Sequence, residues 1–212
     1  MDGTLVDTEP YWIDTEFELA AEYADIGATW SHEHALHLVG NDLLESGRYI
    51  QHVMKLPLTP AEIVERLLDG VVARMEEAVP WRPGARELLA DLNENGVPCA
   101  LVTMSYRRFV EPMLAHLPDG TFTAVITGDE VSHGKPHPEP YLAAARALGV
   151  HPGSCVALED SNTGATSAQA AGCITVVVPN HVPVPEVGGR HRFESLVGIS
   201  AADLAGLRTI QR

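Results

Sequence analysis

The sequence predicts an α/β protein, a doubly wound parallel sheet carrying an all-helical insertion. Three observations lead there. From residue 98 onward, short apolar runs ending in polar residues alternate with segments of helical periodicity, the pattern of successive β-α-β units. Between about residues 11 and 79, helical periodicity continues with no convincing strand. The 212 residues, 45% hydrophobic and 20% charged, have the composition of a globular chain with a real core and are too apolar for intrinsic disorder.

The elements follow in chain order. Met1-Asp2-Gly3-Thr4-Leu5-Val6-Asp7 opens the chain as a turn rich in polar groups. Amphipathic helices are predicted over Tyr11 to Tyr23 and Ala61 to Glu77, both inside the insertion. Pro80-Trp81-Arg82-Pro83-Gly84 marks the return, and a helix over Ala85 to Asn95 leads through Gly96 into a strand at Pro98 to Thr103. A helix from Tyr106 to about His116 precedes a strand at Thr123 to Thr127. The Ala/Leu pattern from Glu139 to Leu148 is closed by Gly149, a helix-stop signal, and Cys155 to Glu159 is the third strand. The Ala-rich helix from Gly164 to Ala171 stops at Gly172, and Ile174 to Val178 forms the fourth strand, ended by Pro179. The Pro-, Gly- and His-containing tail is expected to be loop until a short helix near Ala201. The domain division is therefore residues 1–10 with 80–212 as the α/β core, and 11–79 as the insertion.

Charge and composition exclude several function classes. With 14 Lys+Arg against 29 Asp+Glu, the net charge of −15 opposes nucleic acid or an anionic membrane surface as a partner. No run approaches the ~18 apolar residues of a membrane span, and no secretion leader opens the sequence, so the expected location is cytoplasmic. Cys99, Cys155 and Cys173 are odd in number and lack Cys-x-x-Cys spacing, which predicts buried free thiols in a reducing compartment.

In a parallel α/β sheet, ligands bind beyond the carboxyl ends of the strands. Asp2, Thr103, Lys135, Glu159 and Asp160 should converge there. Carboxylates suit a hard divalent cation, and a hydroxyl with an ammonium suits a phosphate, so the suggested chemistry is phosphoryl transfer. Lys135 and Lys55 are the two lysines in a chain that otherwise carries its positive charge as arginine, and a lysine retained in that setting points to a point-charge role. His32, His34 and His37 lack the i, i+4 spacing of helical zinc sites and read as a solvated surface; His133 and His137, flanking Lys135, read as loop histidines.

Met1-Asp2-Gly3-Thr4-Leu5-Val6-Asp7, Thr103, Gly134-Lys135-Pro136 and Glu159-Asp160-Ser161 together resemble the four motifs of the haloacid dehalogenase (HAD) superfamily, in the right order. The resemblance covers essentially the whole chain, and the insertion is similar to the C1-type helical cap of the beta-phosphoglucomutase-like subfamily. It implies a Rossmann-like core and the following roles. The family's first motif, Asp-x-Asp-Gly-Thr, begins with a nucleophilic aspartate and continues with a general acid/base; Asp2 matches the second, and the nucleophile would fall immediately before Met1. The central strand leading into that motif would precede Met1 too, so the working protein is expected to start about 5 to 15 residues upstream, enough for one strand. Without that strand, its neighbours' edges would be left unpaired.

Gly3, Thr103 and Met104 would bind phosphate through main-chain N–H groups and the Thr103 hydroxyl, and Lys135 would neutralise it. Asp160, Glu159 and the main-chain carbonyl of Asp2 would hold Mg²⁺. Glu9, Tyr11, Asn41 and Arg48 of the cap would choose the substrate. The implied activity is a Mg²⁺-dependent phosphatase of a small phosphorylated metabolite, working through an aspartyl-phosphate, as a monomer. A sugar phosphomutase is the nearest alternative; a dehalogenase, a phosphonatase using Lys55, and a non-catalytic phospho-ligand binding protein are others.

Overall fold

A computed structural model describes residues 1–38 and 43–207. The chain divides into two compact units, Thr8–Val79 and Met1–Asp7 with Pro80–Arg212.

The Thr8–Val79 unit is helical, with α1 at Glu9–Glu22, α2 at His32–Leu38, α3 at Leu43–Met54 and α4 at Pro60–Glu77. Sequence sets the start of α4: the Thr59 hydroxyl accepts the Glu62 N–H at 3.3 Å, the Glu62 carboxylate accepts the Thr59 N–H at 2.7 Å, and Pro60 takes the first helical position. Its buried stripe, Ile63, Val64, Leu67, Leu68, Val71 and Met75, repeats at helical spacing and faces α1 and α3. Close packing depends on glycines there. A Cβ on Gly70 would lie 2.5 Å from Thr15 of α1, and one on Gly47 would lie 2.6 Å from the Pro60 carbonyl.

Leu19, Ile50, Met54, Ile63 and Leu67 form the core of this unit, with Trp12, Tyr23, Trp30 and Tyr49 packed against it. Glu16 is buried among these side chains, 4% exposed, and accepts the Trp30 indole N–H at 3.0 Å. Burial pushes its carboxyl up to about 8; the charge of Glu9 adds to the rise and the Trp30 bond opposes it. The reading of His32, His34 and His37 as uniformly solvated needs correction. His32 and His37 are exposed, but His34 is half-buried, its ring 5.0 Å from Trp30 and 6.2 Å from Tyr49, because α2 turns that face toward the aromatic cluster.

The second unit holds α5 (Ala85–Glu94), β1 (Ala100–Val102), α6 (Arg107–Ala115), β2 (Ala124–Ile126), α7 (Glu139–Leu148), β3 (Val156–Glu159), α8 (Asn162–Ala171), β4 (Ile174–Val177), β5 (Arg190–Arg192) and α9 (Ala201–Ala205). The strands are parallel and form two sheets, β1-β2 and β3-β4-β5. The four apolar runs are β1 to β4, each a residue or more shorter than its run. No ladder joins β1 to β3 among the described residues; Val102 of β1 packs against the cluster of Tyr141, Ala157, Ala168 and Cys173 that lies under β3 and α8.

The tail after Pro179 departs from the loop expected of it. Residues 190–192 form β5, paired with β4 from Thr175↔Arg190 to Val177↔Arg192. Arg-His-Arg has no apolar alternation to reveal a strand. What fixes it is the open edge of β4 and the Arg190 guanidinium, which reaches Asn162 at 2.9 Å, Thr166 at 2.9 Å and Gln169 at 3.2 Å on α8. All three cysteines are free, but only Cys173 is buried; Cys99 and Cys155 are half-buried. Burial pushes the Cys173 thiol up to about 12, with neighbouring Cys155 contributing. Among the described residues, no helix is long and apolar enough to cross a membrane.

Candidate active site

The opening residues form a tight turn. The Met1 carbonyl accepts N–H bonds from Thr4 at 3.2 Å, Leu5 at 2.8 Å and Val6 at 3.3 Å, and the Gly3 N–H returns to the Val6 carbonyl at 2.8 Å. Gly3 has φ +71°, and a Cβ there would fall 2.0 Å from Asp160 Oδ2. Glycine is required twice over, by conformation and by contact. Thr4 completes the junction, its hydroxyl donating to Asp160 Oδ1 at 2.9 Å. On the other side, the Arg82 guanidinium donates to the Gly3 carbonyl and to the carbonyls of Val178 at 3.3 Å and Pro179 at 3.0 Å. The first turn is thus fixed to the loops that follow β3 and β4.

The end of β1 supplies hydroxyls. The Thr103 N–H continues the ladder to the Ile126 carbonyl at 2.9 Å, its buried hydroxyl accepts the Ser105 N–H at 3.1 Å, and the Ser105 hydroxyl donates to Asp2 Oδ2 at 2.6 Å. Met104 is held from the side: its sulfur accepts the Lys135 main-chain N–H at 3.1 Å, and a Cβ on Gly134 would lie 2.8 Å from that sulfur. Its main chain lies against Gly128, where a Cβ would sit 2.2 Å from the Met104 carbonyl oxygen.

Lys135 reaches from its loop to the ends of both sheets. Its ammonium donates to the Val102 carbonyl at 3.1 Å and to Glu159 Oε1, and stands 5.2 Å from the centre of the Tyr141 ring. The Tyr141 hydroxyl donates to the same Glu159 oxygen. The Lys135 and Glu159 side chains are only 9% and 5% exposed. The rest of the Glu159 carboxylate presses on the start of α8, where a Cβ on Gly164 would come within 1.9 Å, and Ser161 caps that helix through the Gly164 N–H at 3.1 Å. Burial raises the Asp160 carboxyl, and Glu159's charge adds to this, while the Met1 amino group and the Thr4 hydroxyl counter it. Burial holds the Met1 amino group below its ordinary value, and Lys135 adds to that; the charges of Asp2, Glu159 and Asp160 act in the opposite sense. Burial and Glu159 together lift the Tyr141 phenol far above its usual range.

Asp2, Gly3, Thr103, Met104, Lys135, Glu159 and Asp160 are therefore linked within one unit. The residues expected to choose the substrate belong to the other. Glu9 begins α1, the Tyr11 hydroxyl donates to the Ala78 carbonyl at 3.1 Å, and Arg48 pairs with Glu45 on the exposed face of α3; Asn41 lies outside the described residues. Four members of the network were not singled out by sequence: Thr4, Ser105, Arg82 and Tyr141. Thr4 stands in a recognised motif and could have been found. Arg82 stands in a predicted turn and Tyr141 in a predicted helix, and neither residue carries a local signal of its long-range bonds.

Residues 1–178 match the family model described as haloacid dehalogenase-like hydrolase. Hexitol phosphatase B of Escherichia coli K12 is 34% identical over 218 aligned positions, covering 97% of this chain and 94% of that protein. The plasmid-encoded protein CbbY of Cupriavidus necator is 31% identical over 196 positions, covering 84% and 76%. Among solved structures, a CbbY point mutant from Rhodobacter sphaeroides in complex with xylulose-(1,5)bisphosphate superposes with a TM-score of 0.79 at 28% identity, over 96% of both chains.

Proposed function

The chain belongs to the haloacid dehalogenase-like hydrolases, and from that premise we propose that it is a Mg²⁺-dependent phosphatase of a small phosphorylated metabolite, acting through an aspartyl-phosphate. The observation that carries this reading is the linkage of Asp2 with Ser105, of Lys135 with Glu159 and of Asp160 with Thr4 around the first turn, whose buried Met1 amino group feels the charges of Lys135, Asp2, Glu159 and Asp160. A residue preceding Met1 would enter this cluster, at the place the family's first motif gives to a nucleophilic aspartate. Phosphatase names among the relatives favour a sugar or sugar-alcohol monoester as substrate.

The donor set suits Mg²⁺. Asp160 presents a carboxylate held by the Thr4 hydroxyl on one oxygen, while its other oxygen faces a glycine where a side chain would exclude any ligand. Asp160 and the Asp2 main-chain carbonyl would hold the ion. Glu159 was grouped with them from sequence, but its Oε1 is already engaged by Lys135 and Tyr141, which favours a role in orienting Lys135. Bound there, Mg²⁺ would offset charge on the transferring phosphoryl group.

The remaining steps fall to side chains. Asp2, steered by the Ser105 hydroxyl, would protonate the leaving oxygen and later take a proton from the hydrolytic water. Thr103, the N–H groups that follow it, and Lys135 would hold the phosphoryl oxygens. The test is phosphate release from a panel of hexitol and sugar phosphates, by a chain carrying Asp before Met1 and by the same chain with Asp2→Asn. Release that needs Mg²⁺, disappears with chelator and falls at least about 10³-fold in the variant is expected. A folded chain that releases none from any substrate overturns the reading, and isomer interconversion without release assigns a mutase instead.

A further inference from the structure

Away from the carboxylate cluster, three metal-ligating side chains meet on the loop that carries Lys135. One ring nitrogen each from His133 and His137 and one Glu139 carboxylate oxygen lie within 4.8 Å of one another. His133 Nδ1 is 2.8 Å from Glu139 Oε2, and His137 Nδ1 is 3.9 Å from the same oxygen. The two rings stack at 4.7 Å with 35° between their planes. With metal–ligand bonds of about 2.0 Å, tetrahedral ligand atoms stand about 3.3 Å apart, so the observed separations bracket what an ion needs.

The surroundings already orient these groups. The Glu139 carboxylate is aimed by main-chain N–H bonds from Ser132 at 2.8 Å and His133 at 3.1 Å. The His137 carbonyl accepts the Ser167 hydroxyl at 2.6 Å, and the Lys135 N–H is tied to the Met104 sulfur. The backbone at 132, 133, 135 and 137 is thereby pinned, leaving mainly ring rotation to close a chelate. An ion would replace two contacts, His133 Nδ1 to the carboxylate and the Glu139 N–H to His137 Nδ1 at 3.2 Å, and both rings would keep Nε2–H toward solvent. Both histidines are exposed, so water has access to the remaining position. Two imidazoles and one carboxylate suit the zinc class of ions; Mg²⁺ prefers oxygen ligands throughout.

We propose that His133, His137 and Glu139 bind a divalent transition-metal ion of the zinc class, apart from the Asp160 site, and that the ion braces the loop bearing Lys135. The test is calorimetric titration of the full chain with Zn²⁺ in excess Mg²⁺, followed by Co²⁺ titration read by visible absorption. One ion per chain is expected, with affinity reduced at least about tenfold in both His137→Ala and Glu139→Gln and unchanged in His116→Ala, which removes an exposed histidine elsewhere. The cobalt bands of a nitrogen-containing site should vanish in the same two variants. Glu139→Gln keeps the shape of the side chain, and circular dichroism matched between chains removes misfolding as a cause of lost binding. Absence of binding, or equal affinity in all four chains, overturns the proposal.

Discussion

Each unit buries a glutamate, and the two are accommodated in opposite ways. Glu159 lies in the α/β unit against a lysine ammonium and a tyrosine hydroxyl, both aimed at one oxygen. Glu16 lies in the helical unit among aromatic rings, with the Trp30 N–H on one oxygen and burial as the dominant influence. The first is met by a cation and a hydroxyl on one oxygen; the second is met by an indole N–H, and burial raises its carboxyl to about 8. The role proposed for Lys135 requires the first arrangement, a carboxylate that steers a cation.

The largest effect should come from breaking the pair. Lys135→Met leaves Glu159 buried with no cation, which costs roughly 3–5 kcal/mol by urea unfolding and removes the charge proposed to hold phosphate. Lys135→Met with Glu159→Gln should regain most of that stability and none of the activity. Equal stability in the single and double variants would mean that Glu159 without its lysine carries no cost.

The unpaired glutamate predicts a pH effect of opposite sense to the usual carboxylate. The folded value, about 8, stands above the ordinary carboxyl value of 4.5, so the folded state keeps its proton longer than the unfolded one. Its contribution is full below about pH 4.5 and is lost as pH rises toward 8, amounting to as much as about 4 kcal/mol. Glu16→Gln retains an acceptor for Trp30 and should flatten this part of the stability profile, gaining most at the alkaline end. An unchanged slope would show that Glu16 titrates normally.

The units also differ in how much the sequence revealed. In the α/β half, the runs at 100–102, 124–126, 156–159 and 174–177 were recognisable because buried parallel strands are continuous apolar stretches bounded by turns. β5 was not, since Arg190-His191-Arg192 is a strand only through its neighbour's edge and the contacts on α8. Thr103 and Asp160 could be picked out from their place at strand ends, and Lys135 as one of two lysines in the chain. Arg82 could not, because its partners are carbonyls of residues 3, 178 and 179, which no local pattern brings near it. Glu16 is a similar case: an acidic residue in an amphipathic helix reads as solvent-facing until Trp30 is placed over it.

Gly3 tests the α/β side of the contrast at the level of shape. Gly3→Ala adds strain at φ +71° and drives a methyl group into Asp160, for a combined cost of about 2–3 kcal/mol. The Asp160 carboxylate must then leave the Thr4 hydroxyl, so Mg²⁺ affinity should fall with stability. Calorimetry of Mg²⁺ binding at matched foldedness separates the two, and unchanged affinity would place the ion elsewhere.

The smallest effect belongs to the helical unit, at the cap that starts α4. Removing the Thr59 hydroxyl, as in Thr59→Ala, leaves the Glu62 N–H without its acceptor at the start of α4 and should lower stability by about 1 kcal/mol. Because Thr59 belongs to the helical unit and Lys135 to the other, the loss should appear in the unfolding midpoint and leave Mg²⁺ affinity unchanged. A matching drop in that affinity would mean that the start of α4 bears on the carboxylate cluster, and the contrast between the two buried glutamates would not separate the two units.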